Sequence, residues 1–275
     1  MPELPEVETV RRGLIPVLQG KTLIDVQIFR EGLRYLFPPF FAERLKGQTV
    51  KSLERRAKYL LLHLSNDQTL IIHLGMSGRF RIDSSKKFLK QKHDHVIFQT
   101  SGCTIAYNDA RRFGLMDLTP TQTWPDHIHF KSLGPEPFDQ TLDSELFHKA
   151  LNNRQQSIKV VLLDQRLIVG VGNIYASESL WQSGIHPSRS ANSVTLKETE
   201  KLLTNIRDVL SRAIEAGGST LRDHHQPDGK LGYFQHQFAV YGRHLEPCLR
   251  GDCQGHIKKF TQAGRSTFYC ESCQR

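Results

Sequence analysis

The stretch YLLLHL-SNDQ-TLIIHL at residues 59–74 sets two apolar runs of six around a four-residue polar turn. That is the pattern of an antiparallel hairpin whose strands are largely buried. The pattern repeats downstream, where HVIFQ at 95–99 and CTIAY at 103–107 flank Ser101-Gly102. A period of two therefore governs residues 22 to 118. Upstream the period changes: Leu4, Val7, Val10, Leu14 and Leu18 recur at spacings of three and four, one face of a helix with Pro5 in its first turn. Glu6 and Glu8 then lie at the positive end of its dipole. Hairpins with an N-terminal helix predict a β-sandwich, and an α+β class for the chain.

Residues 119–140 carry Pro120, Pro125, Pro135 and Pro137 with little periodicity, which reads as a linker. Beyond it the chain reads as helical. Thr195-Leu196-Lys197-Glu198 is a capping box, Leu202, Ile206, Val209, Ala213 and Ile214 form an apolar stripe, and Gly217-Gly218 is a stop. The polar stretch from Gly218 to Tyr233 is long for a connection in a compact domain, which favours a functional loop.

With 275 residues the chain has room for about two cores. At 38% hydrophobic and 24% charged residues, it is neither disordered nor of low complexity. Its apolar runs fall far short of the roughly 18 residues that a membrane span requires. The opening MPELPEVE places three carboxylates where a secretory signal would carry lysine and an apolar run, so a cytoplasmic protein is expected. A net charge of +9, spread over both halves, favours a polyanionic partner such as nucleic acid.

Four of the five cysteines, Cys248, Cys253, Cys270 and Cys273, fall near the C-terminus as C-x4-C, sixteen residues, then C-x2-C. In a reducing compartment this spacing predicts a zinc ribbon. Four cysteine ligands leave no open position, so the ion is expected to hold structure and not to activate water. Cys103, at the head of an alternating run, reads as a half-buried strand thiol.

Pro2 becomes a free secondary amine once Met1 is removed, and an α-amino group with a pKa near 7.7–8.0 is partly neutral at pH 7. Attack on a sugar C1′ or an aldehyde would give an iminium that has no proton to lose from nitrogen and so stays an electron sink. Glu3, next in sequence, could move protons for such a reaction. The same residues also fit a plain helix start with acids that complement the dipole.

Six blocks taken together resemble the bacterial formamidopyrimidine-DNA glycosylase family. They are PELPEVETVRRGL at 2–14, RRAKYLLLHL at 55–64, HLGMSGRF at 73–80, DARRFG at 109–114, VGVGNIYASESL at 169–180 and GRSTFYCESC at 264–273. The resemblance implies an N-terminal β-sandwich over 1–137, a helix-two-turn-helix domain over 138–240 and a β-hairpin zinc finger over 241–275, with damaged double-stranded DNA as partner and a monomer as the working form. It implies Pro2 as Schiff-base nucleophile, Glu3 as acid/base, and Lys58 as a helper in catalysis and phosphate binding.

By the same matching Met76, Arg111 and Phe113 would fill the gap left by an extruded nucleotide, and His93, Arg111 and Arg154 would contact DNA. Their chemistry suits the work, because a thioether, a planar cation and an aromatic ring can replace lost stacking. Read without the family, Met76 and Phe113 are ordinary core residues, although Gly75 and Gly78 favour an exposed turn. Asn173 opens a helix after Gly170-Val171-Gly172, where backbone N–H groups suit a phosphate. Arg265 matches the family arginine that binds phosphate and assists the second elimination. One departure stands out: the first cysteine pair is wider by two residues than the usual C-x2-C, so its turn must differ in shape. The implied function is excision of oxidised purines with abasic-site lyase activity. Alternatives are an endonuclease VIII-type enzyme acting on oxidised pyrimidines and a zinc-ribbon DNA-binding protein without catalysis. The loop from 218 to 233 is expected to close over an extruded base.

Overall fold

A computed structural model of the chain describes residues 2–85, 87–219 and 232–275. The 218–233 loop therefore lies mostly outside the described residues. Two compact units divide the chain: residues 1–131 with 216–233, and residues 132–215 with 234–275.

The first unit begins with helix α1 (Leu4–Leu18), whose buried residues include all five expected stripe positions. Strands β1 (Asp25–Ile28) and β2 (Val50–Arg56) flank a short helix α2 (Phe41–Leu45). Then follow β3 (Tyr59–Leu64), β4 (Gln68–His73), β5 (Arg79–Asp83), β6 (Asp94–Gln99), β7 (Thr104–Asn108) and β8 (Leu115–Pro120). Both expected hairpins form, β3 with β4 and β6 with β7. Among the described residues the strands make two antiparallel sheets, in the orders β1-β6-β7-β5 and β2-β3-β4-β8. Alternation decides what lies between them: Leu60, Leu62, Leu64, Leu70, Ile72, Met116 and Leu118 from one sheet meet Val96, Phe98, Ile105 and Tyr107 from the other, with Val7, Val10, Leu14 and Leu18 of α1 joining the core.

The proline-bearing stretch is not a plain linker. Residues 121–130, with a short 3-10 helix at Thr121–Asp126, return to the β2-β3-β4-β8 sheet. There Phe130 packs edge-on against Tyr59 and Trp124, and His129 stacks on Tyr59. Proline punctuates the turn while the aromatics between supply the burial.

The second unit holds α3 (Ser144–Asn152), α4 (Ile158–Leu162), α5 (Asn173–Ser183) and α6 (Leu196–Glu215), then the hairpin β9 (Ile257–Gln262) and β10 (Arg265–Cys270). The capping box forms as read: the Thr195 N–H donates to Glu198 Oε2 at 2.8 Å, and the Glu198 N–H to Thr195 Oγ1 at 3.3 Å. No helix among the described residues is long and apolar enough to cross a membrane.

Candidate active site and zinc centre

In the first unit Pro2 is buried where the chain enters α1, and Glu3, the N-cap residue, is 3% exposed. The Glu3 N–H donates to Glu6 Oε2 at 2.9 Å, while Glu6 Oε1 accepts from both the backbone N–H and the hydroxyl of Ser219 at 2.9 Å. Glu6 therefore satisfies the helix terminus and anchors residue 219 beside it. One turn on, burial pushes the Glu8 carboxyl up, but hydrogen bonds from Arg11 and Arg12 outweigh it and hold that carboxyl below its usual range.

Lys58 lies in the turn between β2 and β3, just before Tyr59, and it is 7% exposed. Burial, followed by the Lys58 and Arg34 cations, pushes His73 down to about 4. His73 is thus a neutral imidazole at pH 7, and its Nδ1 accepts the Gly75 N–H at 3.1 Å, which leaves Nε2 as a hydrogen-bond donor. Sequence reading passed over His73, although it opens the HLGMSGRF block.

Met76, Arg111 and Phe113 come together as an exposed tip, Met76 at 37% and Phe113 at 45% exposed, with the Arg111 guanidinium 5.0 Å from the Phe113 ring centre. The core reading of Met76 and Phe113 is overturned by this exposure. The two loops meet at the backbone: a Cβ on Gly75, whose φ is +65°, would lie 2.3 Å from the Phe113 carbonyl carbon. His93 is half-buried with φ +72°, a left-handed conformation that few non-glycine residues adopt.

In the second unit Arg154 is held by Asp164, Nη1 to Oδ2 at 3.1 Å. Hydrogen bonds from Arg166, and then Arg154, hold the Asp164 carboxyl down at about 2. Asn173 opens α5 as expected and its Nδ2 donates to the Ser266 carbonyl at 2.9 Å, one residue from Arg265. Its Oδ1 is buried with no protein partner among the described residues. Arg265 is exposed at the hairpin tip, paired across from Gln262 by a two-residue turn in which Ala263 and Gly264 both have positive φ.

Two further groups hold this region, and sequence reading assigned a role to neither. Lys159 of α4 is 1% exposed and donates to the Ser266 carbonyl at 3.1 Å and Thr267 Oγ1 at 2.7 Å. Glu178 accepts the backbone N–H groups of Ala239, Val240 and Tyr241. A lysine inside an apolar run was the available signal for the first, and a glutamate inside the VGVGNIYASESL block for the second.

The four cysteine sulfurs lie within 4.8 Å of one another, with Cys248 to Cys273 at 3.8 Å and Cys253 to Cys270 at 3.5 Å. Sulfurs about 2.3 Å from a tetrahedral zinc stand about 3.8 Å apart, so the donor set fits a structural ion. Burial and then the neighbouring sulfurs push the Cys273 thiol up, a cost that a bound dication reverses. The widened first turn has a use for its extra length. Arg250 donates to the Trp181 carbonyl at 2.7 Å and lies 5.3 Å from the Trp181 ring centre, while Trp181 Nε1–H donates to Cys248 Sγ at 3.3 Å.

Residues 1–116 match the formamidopyrimidine-DNA glycosylase N-terminal domain, 133–225 the H2TH domain of the same enzymes, and 246–275 a zinc finger found in FPG and IleRS. A formamidopyrimidine-DNA glycosylase of Ruegeria pomeroyi is 49% identical, with both chains fully covered. The chain belongs to the formamidopyrimidine-DNA glycosylase family. The Azorhizobium caulinodans enzyme of that name is 47% identical over the full length of both chains. Among solved structures, the Lactococcus lactis enzyme bound to DNA containing an abasic site superposes with a TM-score of 0.91 at 34% identity and 99% coverage of each chain. The same enzyme in complex with DNA containing an oxidised pyrimidine gives 0.91 at 34% identity with both chains fully covered. Family membership makes this chain a DNA-repair glycosylase that binds DNA, with one structural zinc ion at the four cysteines.

Proposed function

We propose that the enzyme removes oxidised purines from duplex DNA and then cuts the strand at the resulting abasic site, with Pro2 as nucleophile. The observation that carries this reading is Pro2 buried at the start of α1 and followed directly by the nearly inaccessible carboxyl of Glu3. The Pro2 nitrogen lone pair forms a bond to C1′ as the bond from C1′ to the base breaks, and the base leaves with a proton. Glu3 protonates the sugar ring oxygen as the ring opens, which leaves an iminium between Pro2 and C1′. Loss of a C2′ proton expels the 3′ phosphate, a second elimination expels the 5′ phosphate, and water then releases Pro2. The Lys58 ammonium and the Arg265 guanidinium bind phosphate and stabilise the leaving groups. Met76, Arg111 and Phe113 occupy the vacated stack, and His93, Arg154 and Asn173 hold the backbone. A sandwich over 1–137, a helical domain over 138–240 and a zinc hairpin over 241–275, in a cytoplasmic nucleoid-associated monomer, complete the reading.

Borohydride trapping on duplexes carrying oxidised guanine or oxidised thymine tests it. The expected adduct is on the N-terminal peptide with Met1 absent, formed faster with oxidised guanine. Trapping on Lys58 would overturn the nucleophile, and preference for oxidised thymine would favour the endonuclease VIII-type reading.

A further inference from the structure

Asp109 is fully buried, and the chemistry above gives it no task. Its carboxylate accepts the Ser77 hydroxyl on Oδ1 at 2.5 Å and the Gly114 N–H on Oδ2 at 2.9 Å. Its own N–H donates to the His93 carbonyl at 3.1 Å, and its carbonyl oxygen lies 2.9 Å from His95 Nε2. The Ser77 oxygen in turn accepts the Arg111 N–H at 3.0 Å. Two segments, the turn of Met76 and the loop of Arg111 and Phe113, thus meet on one carboxylate, and the left-handed residue His93 is tied to the backbone N–H of the same residue. Space around it is closed: a Cβ on Gly114 would lie 1.9 Å from the Tyr107 hydroxyl and 3.0 Å from Asp109 Oδ2.

We infer that Asp109 is the positioning residue that presets these segments for insertion into the duplex, so that lesion discrimination depends on a carboxylate that never touches DNA. This rests on the reading that Met76, Arg111 and Phe113 insert. A thioether, a cation and an aromatic ring can replace an extruded nucleotide only as a unit of fixed spacing, because stacking falls away within a fraction of an ångström of misfit. The tip itself is exposed and has little packing of its own. Its geometry therefore comes from its root, where the Ser77 hydroxyl and the Gly114 N–H are tied to Asp109 directly and the Arg111 N–H through Ser77.

The test compares Asp109→Asn and Ser77→Ala with Arg111→Ala in the full-length zinc-loaded protein. Asparagine can keep an acceptor toward the Gly114 N–H only by turning its NH2 toward the Ser77 hydroxyl, which then loses its charged acceptor, whereas alanine at 77 leaves the carboxylate intact, so the second variant keeps the test valid if the first does not fold. Three readouts are taken: excision of an oxidised guanine, cleavage of a preformed abasic site, and fluorescence of 2-aminopurine beside the lesion, which reports displacement of the stack. Excision should fall by about tenfold or more, the scale of one lost hydrogen bond to a charged acceptor. Abasic cleavage should stay within roughly threefold and the fluorescence rise should be slowed, since a preformed gap needs less insertion. Ser77→Thr should restore excision. A general loss of stability would lower both activities together, and that result overturns the proposal, as does wild-type excision by Ser77→Ala. Normal discrimination by Arg111→Ala would instead remove the insertion reading on which the proposal stands.

Discussion

Replacing Lys159 with methionine keeps most of the side-chain volume and removes its charge. The two bonds from Nζ to Ser266 and Thr267 are lost, leaving the buried Thr267 hydroxyl of β10 short of a donor and the Ser266 carbonyl with the Asn173 amide in place of two donors. A hydrogen bond to a charged group contributes about 1.5–3 kcal/mol, so the two together contribute about 3–6 kcal/mol. Methionine recovers part of this through apolar burial, so a net loss of about 3 kcal/mol is expected. At 1.4 kcal/mol per factor of ten, that is roughly a hundredfold shift toward an undocked hairpin. The assay is amide hydrogen exchange of residues 257–270 with zinc content measured in parallel. Exchange should quicken by roughly that factor while the four thiolates keep their metal, and abasic-site cleavage should fall because Arg265 lies one residue before Ser266. Wild-type exchange together with wild-type cleavage in Lys159→Met would refute the reasoning.

Further outcomes are expected at the zinc and at His73. Chelation or Cys270→Ser should weaken strand cleavage about as much as Arg265→Ala while the sandwich keeps its melting transition, since metal binding and hairpin folding are one event; zinc-free protein that cleaves normally would break that link. His73 falls from 6.5 to about 4 in the folded state, so the unfolded chain binds more protons between those values. Stability should therefore drop as pH falls through that window, by at most about 3 kcal/mol, and His73→Gln should flatten the drop in denaturant titrations. Affinity for DNA should decline with salt by about one logarithmic slope unit per phosphate contact, measured by titration at several ionic strengths.

Local periodicity made a good part of this fold legible. The stripe from Leu4 to Leu18, the two sandwich hairpins and the Thr195/Glu198 cap are all encoded within a few residues, and each forms. The cysteine cluster was equally plain because metal geometry tolerates few spacings. What escaped is long-range. Lys159 and Thr267 are 108 residues apart, and Ser77 and Asp109 are 32 apart, so no window of sequence holds both partners. The strap of 121–130 escaped for another reason: its prolines announce irregular backbone and say nothing about what the intervening Trp124 and Phe130 cover. Met76 and Phe113 looked like core because residue type reports hydrophobicity and not the side on which it will be spent.

The indole of Trp181, in hydrogen-bond contact with Cys248, gives the molecule its own optical gauge of metal content. Thiolate sulfur quenches indole emission through close contact, and ligation to zinc withdraws the electron density that does so. The chain has two tryptophans, and the other, Trp124, belongs to the sandwich unit, so a Trp124→Phe background isolates the signal. Emission from that variant during stopped-flow mixing with a chelator would time zinc departure directly, without a dye, a label or a DNA substrate.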